Sequence, residues 1–429
     1  MTTARVIGAG LSGLTTAWCL AEAGFDVQVV DGQFAPGGLI GTRHTPHGLV
    51  ERAANAFIWN DTSARWFHEL GIDPLFPTPR SRRRLIFRNG RTRRWPLGPV
   101  ETSIGAARLA AAWISGSLRP REPESVAAWV DRVAGRAATR WLAGPALQGI
   151  YATPPERLAA AAIFGAIRRS GGGRRSFPQN EGGAGQRSTW RAKSSSTRGG
   201  RLAAPAGGMG EFIERLHGRL VARGVTFDFG RPATALDPSV PTALCTDAVS
   251  AASLLAPHAP ALANAIASLS MTSLVTSTAF FAPQSTDIHA FGVLFPRGAG
   301  VDALGALFNT DIFAGRGDAR SETWIYGADP PDSPIDASEI EARIVSDRAV
   351  LTGRTDKPLA VYSSAVGGQQ WRGLPVYGPA ILDIRSRLVD LPPWLALAGN
   401  YLGRLGVAKL LDVAQEAATR LRSGADRHQ

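Results

Sequence analysis

The stretch that decides the fold is Arg5-Val6-Ile7-Gly8-Ala9-Gly10-Leu11-Ser12-Gly13, near the start of the chain. A short apolar run leads directly into Gly-x-Gly-x-x-Gly, and a helical pattern follows at residues 14–23. A second strand-like run, residues 27–30, then ends at Asp31. This order of strand, tight turn, helix, strand and acid predicts a dinucleotide-binding βαβ unit.

Each residue type in this motif has a predicted role. Gly8 permits the turn, Gly10 lets a pyrophosphate approach the backbone, and Gly13 lets the helix pack on the strand. The first turn of the helix offers unpaired N–H groups and a partial positive charge to the phosphates. Asp31 stands where a carboxylate accepts hydrogen bonds from an adenosine ribose.

Length and composition narrow the class of protein. The 429 residues are enough for two or three domains, and no apolar run approaches the ~20 residues of a membrane span. The first strand begins almost at once, so we expect no signal peptide. Cys19 and Cys245 are the only cysteines, so neither a disulfide framework nor a cysteine metal site is expected. A reducing, cytoplasmic setting is the expectation.

The positive charge is nearly all arginine. The net charge is +12, and Lys193, Lys357 and Lys409 are the only lysines. An arginine-biased genome is one explanation; an anionic substrate or an anionic membrane surface is another. Nucleic acid is not favoured, because no nucleic-acid module is recognisable and the arginines are not interleaved with aromatic residues.

The middle of the chain alternates predicted strands and helices, and it contains two arginine-rich segments, a hairpin and a loop. Arg84-Leu85-Ile86-Phe87 predicts a strand that returns through a turn at Arg88-Asn89-Gly90 as a basic hairpin. Residues 100–118 and 125–142 predict helices. Trp113, Trp129 and Trp141 are expected in the core, and the alternative is that they are interfacial anchors. Residues 168–201, rich in Gly, Ser and Arg, predict a mobile basic loop.

The end of the chain repeats the geometry of its start. Leu395-Ala396-Leu397 predicts a strand, a small turn follows at Gly399-Asn400, and a helix is predicted at 407–422. We therefore expect the first and last segments to share one sheet, with the middle of the chain inserted between them.

Together with the glycine motif, further motifs along the chain resemble those of the FAD-dependent, oxygen-requiring protoporphyrinogen oxidases of the amine-oxidase and phytoene-desaturase superfamily. The superfamily signal is the glycine motif with Gly37-Gly38 and Ala398-Gly399-Asn400. The narrower signal consists of Pro145-Ala146-Leu147-Gln148-Gly149-Ile150-Tyr151-Ala152 with Pro155 and Leu158, Gly207-Gly208-Met209, Phe291-Gly292-Val293-Leu294, and Trp371-Arg372-Gly373-Leu374-Pro375-Val376-Tyr377.

The resemblance implies an α/β fold, α+β overall, in three parts. A discontinuous Rossmann-like FAD domain comprises residues 1–78, 202–255 and 385–425. A substrate-binding domain with a mixed sheet comprises 79–96 and 256–384. An inserted helical domain, 97–201, sits on the membrane surface in family members and carries the flexible loop 168–201.

The resemblance also implies the site. Residues expected at FAD are Gly8, Ala9, Gly10, Leu11, Ser12, Gly13, Asp31, Gly32, Gly38, Leu39, Ala53, Ala54, Asn55, Ala56, Ala233, Asn400, Leu405, Gly406 and Val407. Residues expected at the substrate are Arg84, which would pair with a propionate, and Phe291, Leu294 and Ile325, which would pack on a tetrapyrrole. No metal site is expected, and no catalytic base is identified.

The implied reaction is oxidation of protoporphyrinogen IX to protoporphyrin IX in heme biosynthesis, with FAD as cofactor and molecular oxygen as acceptor. Peripheral contact with the inner face of the cell membrane and a homodimer are further expectations. Three alternatives remain: a coproporphyrinogen III oxidase of the same fold, an amine oxidase or desaturase, and a non-catalytic flavin-binding homologue. Amine oxidases usually need a lysine near the flavin, and none lies between Lys193 and Lys357.

Several positions depart from the family pattern. Asp31 replaces the usual glutamate, Ala53-Ala54 stands at a common Gly-Pro pair, and Val413-Ala414 replaces Ser-Gly. Arg404 occupies a position that is usually small near the flavin, which raises the question of access for substrate or oxygen.

Overall fold

The computed structural model describes residues 2–164, 201–327, 336–366 and 373–425. The predicted loop at 168–201, apart from Arg201, and the Trp371-Arg372 part of the last motif lie outside these ranges. Among the described residues, no helix has both the length and the apolar character needed to cross a bilayer.

The strands in the described ranges follow the predicted alternation. They are β1 Thr3–Ile7, β2 Asp26–Asp31, β3 Thr42–Thr45, β4 Gly48–Glu51, β5 Phe57–Ile58, β6 Arg84–Arg88, β7 Arg91–Arg93, β8 Leu202–Ala203, β9 Thr226–Phe229, β10 Thr242–Leu244, β11 Met271–Thr272, β12 Leu274–Phe281, β13 Gly292–Leu294, β14 Gly305–Phe308, β15 Arg320–Gly327, β16 Ala360–Val366, β17 Leu374–Pro375 and β18 Leu395–Leu397.

The helices in the same ranges pack around the sheets. They are α1 Leu11–Glu22, α2 Asp61–Leu70, α3 Pro99–Ile114, α4 Val126–Val133, α5 Arg136–Ala138, α6 Gly144–Tyr151, α7 Ala160–Phe164, α8 Met209–Ala222, α9 Ala248–Leu255, α10 Pro260–Ala267, α11 Asn309–Ile312, α12 Ile340–Thr352, α13 Ala380–Arg387 and α14 Val407–Ala425.

A five-stranded parallel sheet joins the two ends of the chain. Its order is β18-β10-β1-β2-β9, and every pair is parallel. Val6 lies between Val29 on β2 and Ala243 on β10. Apolar side chains fill both faces, as expected when helices cover a parallel sheet on both sides. The α1 and α14 helices pack against each other, so the prediction that the first and last segments share a sheet is confirmed.

A seven-stranded mixed sheet forms the second layer. Its order is β16-β12-β15-β14-β13-β6-β7, antiparallel except between β13 and β6. One face packs against α12 through a core that contains Leu85, Phe87, Trp324 and Ile344. Because side chains alternate along a strand, the residues between these lie on the opposite face. The predicted α/β class with a second, mixed sheet is confirmed.

The helical region departs from the prediction in two places. The expected helix 125–142 is broken after α4, because Gly135 adopts φ +88° and a π-helical stretch, Thr139–Ala143, follows. Trp113 is not in the core: its side chain is 72% exposed on α3. Trp129 and Trp141 are half-buried.

The division into three domains stays a prediction. The hairpin formed by β6 and β7 belongs to the seven-stranded sheet, as assigned. The α10 and α13 helices, assigned to the substrate-binding part, pack with α9 in the core around the parallel sheet.

Candidate cofactor and substrate site

The glycine motif forms a tight loop between β1 and α1. Gly8 has φ +106°, and a Cβ there would lie 2.6 Å from the Cys245 carbonyl oxygen. A Cβ at Gly13 would lie 1.7 Å from the Gly8 carbonyl oxygen. The protein's own packing therefore requires both glycines.

Gly10 is different, because the protein does not crowd it. A Cβ there would meet only the Gly38 Cα, at 3.9 Å. Gly38, with φ +58°, belongs to the turn that crosses this loop, and Gly37 N–H donates to the Ala9 carbonyl at 2.8 Å. The Gly37-Gly38 turn is thus packed directly against the glycine loop.

The loop borders a cavity of about 500 Å³, within the size range of cofactor sites. Ten of the residues expected at FAD line it: Gly8, Gly10, Leu11, Ser12, Asp31, Gly32, Gly38, Leu39, Ala233 and Asn400. These residues come from the start, the middle and the end of the chain. The strand order of the parallel sheet brings them together at the carboxyl ends of its strands.

Asp31 ends β2 and braces the loop. Its Oδ2 accepts a hydrogen bond from Ala9 N–H, and its Oδ1 accepts one from Gln33 N–H at 2.7 Å. A carboxylate has about four acceptor sites, so Asp31 retains capacity for ribose hydroxyls while it holds the turn.

The first turn of α1 is open to an anion. Gly10 is its N-cap, no side chain caps it, and its first turn contains no acidic residue. Leu11 and Ser12 line the cavity from this turn. Unpaired N–H groups and the helix dipole therefore favour a phosphate here.

The cavity wall that faces the glycine loop is formed by the residues after β10, which the sequence analysis did not predict at the site. Cys245, Thr246 and Asp247 line the cavity, and Asp247 caps α9 by accepting from Val249 and Ser250 N–H at 2.9 and 3.1 Å. Burial raises the pKa of the Cys245 thiol to about 12, so it is a neutral thiol at pH 7. The run Pro241-Thr242-Ala243-Leu244-Cys245-Thr246 was the available signal, because its pattern is that of a strand and ligands bind beyond the carboxyl ends of such strands.

Asn400 lies where the last strand turns toward α14. Its carbonyl accepts a hydrogen bond from the Tyr377 hydroxyl at 2.7 Å. The Tyr377 ring packs against Tyr151 of α6 at 5.2 Å. Tyr377 ends the last family-like motif, so this residue ties the helical region to the cavity wall.

The turn before α14 is held by Arg385. Its guanidinium donates to the carbonyl oxygens of Leu402 and Gly403 at 3.1 and 2.6 Å. Arg404 turns away and pairs with Glu416 on α14. It does not line the cavity in the described structure.

Nine expected FAD residues lie outside the cavity lining: Ala9, Gly13, Ala53, Ala54, Asn55, Ala56, Leu405, Gly406 and Val407. Ala9 and Gly13 shape the loop. Leu405, Gly406 and Val407 lead into α14, whose Leu410 does line the cavity. The role of these residues at the flavin stays a prediction.

The segment 53–56 runs across the seven-stranded sheet. Thr276 Oγ1 on β12 donates to the Arg52 carbonyl at 3.0 Å. At the other end of the segment, Ala56 packs in one apolar cluster with Phe291 and Leu307. Asn55 borders a separate, small cavity beside Arg316. The structure therefore places one end of a predicted flavin segment and a predicted substrate residue around the same apolar cluster.

The four predicted substrate residues lie together on the side of the seven-stranded sheet opposite α12, which we call the cleft side. The Arg84 guanidinium lies 5.1 Å from the Phe291 ring centre. Leu294 is paired with Ile86 on one side and Gly305 on the other, and Gly305 is paired with Ile325. Helix α6 covers this row so closely that a Cβ at Gly149 would lie 2.7 Å from Leu294 Cδ2.

Comparison with known proteins agrees with this geometry. The family described as flavin containing amine oxidoreductase matches residues 11–420. The chain belongs to this family. It is 24% identical to the chloroplastic protoporphyrinogen oxidase of Nicotiana tabacum, over 96% of this chain and 84% of the relative. It is also 24% identical to the coproporphyrinogen III oxidase of Propionibacterium freudenreichii subsp. freudenreichii, over 96% of this chain and 89% of that protein.

The fold itself is shared with enzymes that act on other substrates. The cyclohexylamine oxidase of Brevibacterium oxydans IH-35A has a TM-score of 0.73 and 16% identity, covering 99% of this chain and 100% of that one. The family membership establishes a flavin oxidoreductase with FAD as cofactor, and its substrate must be argued from the site.

The cavity of this flavin oxidoreductase suits FAD on its own geometry. Only a ligand lying against the backbone explains a glycine at position 10, because a Cβ there meets no side chain. The open first turn of α1 suits the pyrophosphate, and Asp31 suits the ribose. Met271, Gly373 and Asn400 complete the lining beside the start of β12, next to the predicted substrate face.

Proposed function

We propose that this flavoprotein oxidises protoporphyrinogen IX to protoporphyrin IX, with molecular oxygen as the acceptor, in porphyrin and heme biosynthesis. The observation that carries the proposal is the half-buried apolar row of Ile86, Leu294 and Ile325 with Arg84 at its edge. A large, flat, mostly apolar acid needs an apolar face for its ring and a cation for its carboxylate.

Bound FAD supplies the two-electron acceptor, and the chain's own residues supply position and shielding. The apolar row orients the macrocycle, and α6 over Leu294 excludes water from one side of it. Arg84 holds a propionate through its planar fork of N–H donors. We assign no catalytic base.

Two observations weigh against an amine as substrate. Lys357 and Lys409 are exposed, and neither lines the FAD cavity in the described structure. Arg84 also presents a positive charge, which repels a protonated amine. Coproporphyrinogen III is the second candidate, supported by the coproporphyrinogen III oxidase among the relatives.

Peripheral attachment to the inner face of the cell membrane is part of the proposal, with the rest of the protein in the cytoplasm. Its support is α3, which buries only Ala112 and exposes five apolar side chains: Val100, Ile104, Leu109, Trp113 and Ile114. Several large apolar side chains exposed on one helix mark a surface that a membrane or another protein covers. The neighbouring β7 strand adds exposed arginines that attract anionic lipid.

The decisive experiment offers protoporphyrinogen IX and coproporphyrinogen III separately, in air, to the purified FAD-loaded protein. We expect porphyrin fluorescence with matching peroxide, and the ratio of the two rates selects the substrate. Flavin-loaded protein that produces no porphyrin above the autoxidation blank would reject the proposal and favour a non-catalytic homologue.

A further inference from the structure

The β6–β7 hairpin carries several arginines on the cleft side of the seven-stranded sheet, which is the side opposite α12. Leu85 and Phe87 are buried in the core on the α12 side. The alternating residues of β6 therefore lie on the cleft side. In the antiparallel register, Arg93 lies opposite Ile86 and Arg91 lies opposite Arg88, so both β7 arginines share the cleft side.

These arginines differ in what already binds them. Arg88 donates to both Glu101 oxygens at 2.7 and 2.9 Å and lies 4.4 Å from the Trp141 ring centre. Arg84 contacts the Phe291 ring. Arg91 and Arg93 are exposed, and within the described residues no hydrogen-bond or ion-pair partner is found for either. Binding a carboxylate would cost them no existing interaction.

We infer that Arg93 is a second carboxylate anchor, which acts together with Arg84 on two neighbouring acids of one substrate. The inference rests on the proposed function. Arg84 and Arg93 are diagonal neighbours in the hairpin, and such positions have Cβ atoms roughly 7–8 Å apart. Two flexible guanidinium groups at this spacing reach propionates carried by adjacent pyrrole rings.

The position in the sheet also favours Arg93 over the other hairpin arginines. Arg93 is paired with Ile86, which is the first residue of the apolar row Ile86, Leu294, Ile325. Arg91 lies one residue pair closer to the hairpin turn, opposite the already paired Arg88. A substrate that meets the row at its Ile86 end therefore brings its acidic edge to Arg93 and Arg84, while Arg91 lies one residue pair farther toward the hairpin turn.

The test measures binding without turnover. Oxidised holoenzyme is titrated with protoporphyrin IX and with its uncharged dimethyl ester, followed by flavin fluorescence, for wild type, Arg84→Ala, Arg93→Ala and Arg91→Ala. We expect Arg93→Ala and Arg84→Ala each to weaken binding of the diacid about tenfold, in line with one lost charge-assisted hydrogen bond. Binding of the ester should change less than twofold in both variants, and Arg91→Ala should bind the diacid like wild type.

The outcomes separate the inference from the proposed function. Equal effects of Arg93→Ala and Arg91→Ala, or an equal loss for diacid and ester, would overturn the role of Arg93, because diffuse charge or lost packing would then explain the result. Wild-type protein that binds neither diacid nor ester would instead reject a tetrapyrrole site altogether. If Arg93→Lys binds the diacid more tightly than Arg93→Ala but more weakly than wild type, the result would support a role for the positive charge and for the planar guanidinium group.

Discussion

At the scale of single residues, the three glycines of the first loop serve different partners. Gly8 and Gly13 are crowded by backbone atoms of the protein, whereas Gly10 faces open space beside the cavity. Sequence alone treats them as one motif. The structure separates the glycines that the fold needs from the glycine that the cofactor needs.

Gly10→Ala should therefore lose FAD while it keeps its fold. The added Cβ occupies the surface that the pyrophosphate approaches, so we expect at least tenfold weaker FAD binding, about 1.4 kcal/mol. The thermal midpoint of the apoprotein should stay close to wild type. Titration of apoprotein with FAD and a melting curve measure the two effects.

Gly13→Ala is the matched control. Its Cβ would lie 1.7 Å from the Gly8 carbonyl oxygen, so this variant should unfold at lower temperature or fail to accumulate. A Gly10→Ala protein that is destabilised as much as Gly13→Ala would contradict the separation of roles.

The residues of the site were predictable to the extent that they sit in a motif. Ten expected residues line the cavity, but Thr246, Asp247 and Met271 also line it and belong to none of the quoted motifs. They lie at the ends of separate elements, and only the register of the sheets brings these ends together. The four substrate residues were predicted through the family resemblance, and the strand pairing that unites them is not readable from their spacing.

At the scale of elements, α3 packs weakly on the rest of the protein, because Ala112 is its one buried residue. It is fixed at its start by Glu101, which accepts from Gly98 N–H at 2.8 Å and from Arg88 on β6. The hydrogen bonds from Arg88 lower the pKa of Glu101 to about 2. The attachment of α3 to the seven-stranded sheet thus depends on a charged carboxylate.

Acid should release this helix. Because the folded pKa of Glu101 lies below its ordinary value of 4.5, the stabilisation is complete above about pH 4.5 and is lost as the pH falls toward 2. Hydrogen exchange of the α3 amides should accelerate across this window beyond its intrinsic pH dependence.

The comparison variant is Glu101→Gln, which carries no titrating group at this position. Its α3 amides should already exchange faster at pH 6 and should show a flatter dependence on pH. A pH dependence equal to that of wild type would mean that another group anchors the helix.

The exposed residues of α3 lead to a prediction about lipid. Trp113 and Ile114 are 72% and 78% exposed, and removing them should weaken attachment because apolar burial drives interfacial binding. Trp113→Ser with Ile114→Ser should lower co-sedimentation with phosphatidylglycerol vesicles at least fivefold. Val350→Ser, an exposed apolar residue on α12, is the control and should sediment like wild type.

Light scattering on the same variants decides between lipid and a second copy of the chain. If wild type is a dimer and the double variant is a monomer that still binds vesicles like wild type, α3 is a homodimer interface, and attachment of α3 to the membrane is contradicted.

Element boundaries were predictable where pattern and packing agree. The last strand and the last helix lie where the pattern of the closing segments predicted them. The predicted helix 125–142 failed because Gly135 breaks it and Thr139 donates instead to the Asp131 carboxylate. The apolar period of α3 was correctly interpreted as helical, but periodicity does not reveal whether protein, lipid or water covers the helix.

At the scale of the whole molecule, a buried ion pair joins the two-stranded β3–β4 sheet to the segment between α11 and β15. Glu51 on β4 accepts from Met209 N–H at the start of α8 and from Arg316, which follows α11, at 2.7 Å. Both side chains are almost fully buried, at 6% and 3% exposure. The pair lies next to Asn55, so it supports the segment that crosses the substrate face.

Removing one partner should cost more than removing both. Glu51→Gln leaves a buried, unpaired guanidinium, so we expect a loss of about 3–5 kcal/mol in the free energy of unfolding. Glu51→Gln combined with Arg316→Met should recover part of this loss, because no isolated charge remains. Urea unfolding of the single and double variants gives the coupling energy; additive losses would show that the pair does not act as a unit.

The parallel sheet that unites both chain ends has a consequence for biosynthesis. The glycine loop and Asp31 leave the ribosome first, but Asn400 and Leu410, on the facing wall, are translated among the last residues of the site. A nascent chain can therefore display half of a nucleotide pocket without being able to close it. Flavin loading must then wait until translation of this region is complete, and any message truncated before β18 yields a colourless protein.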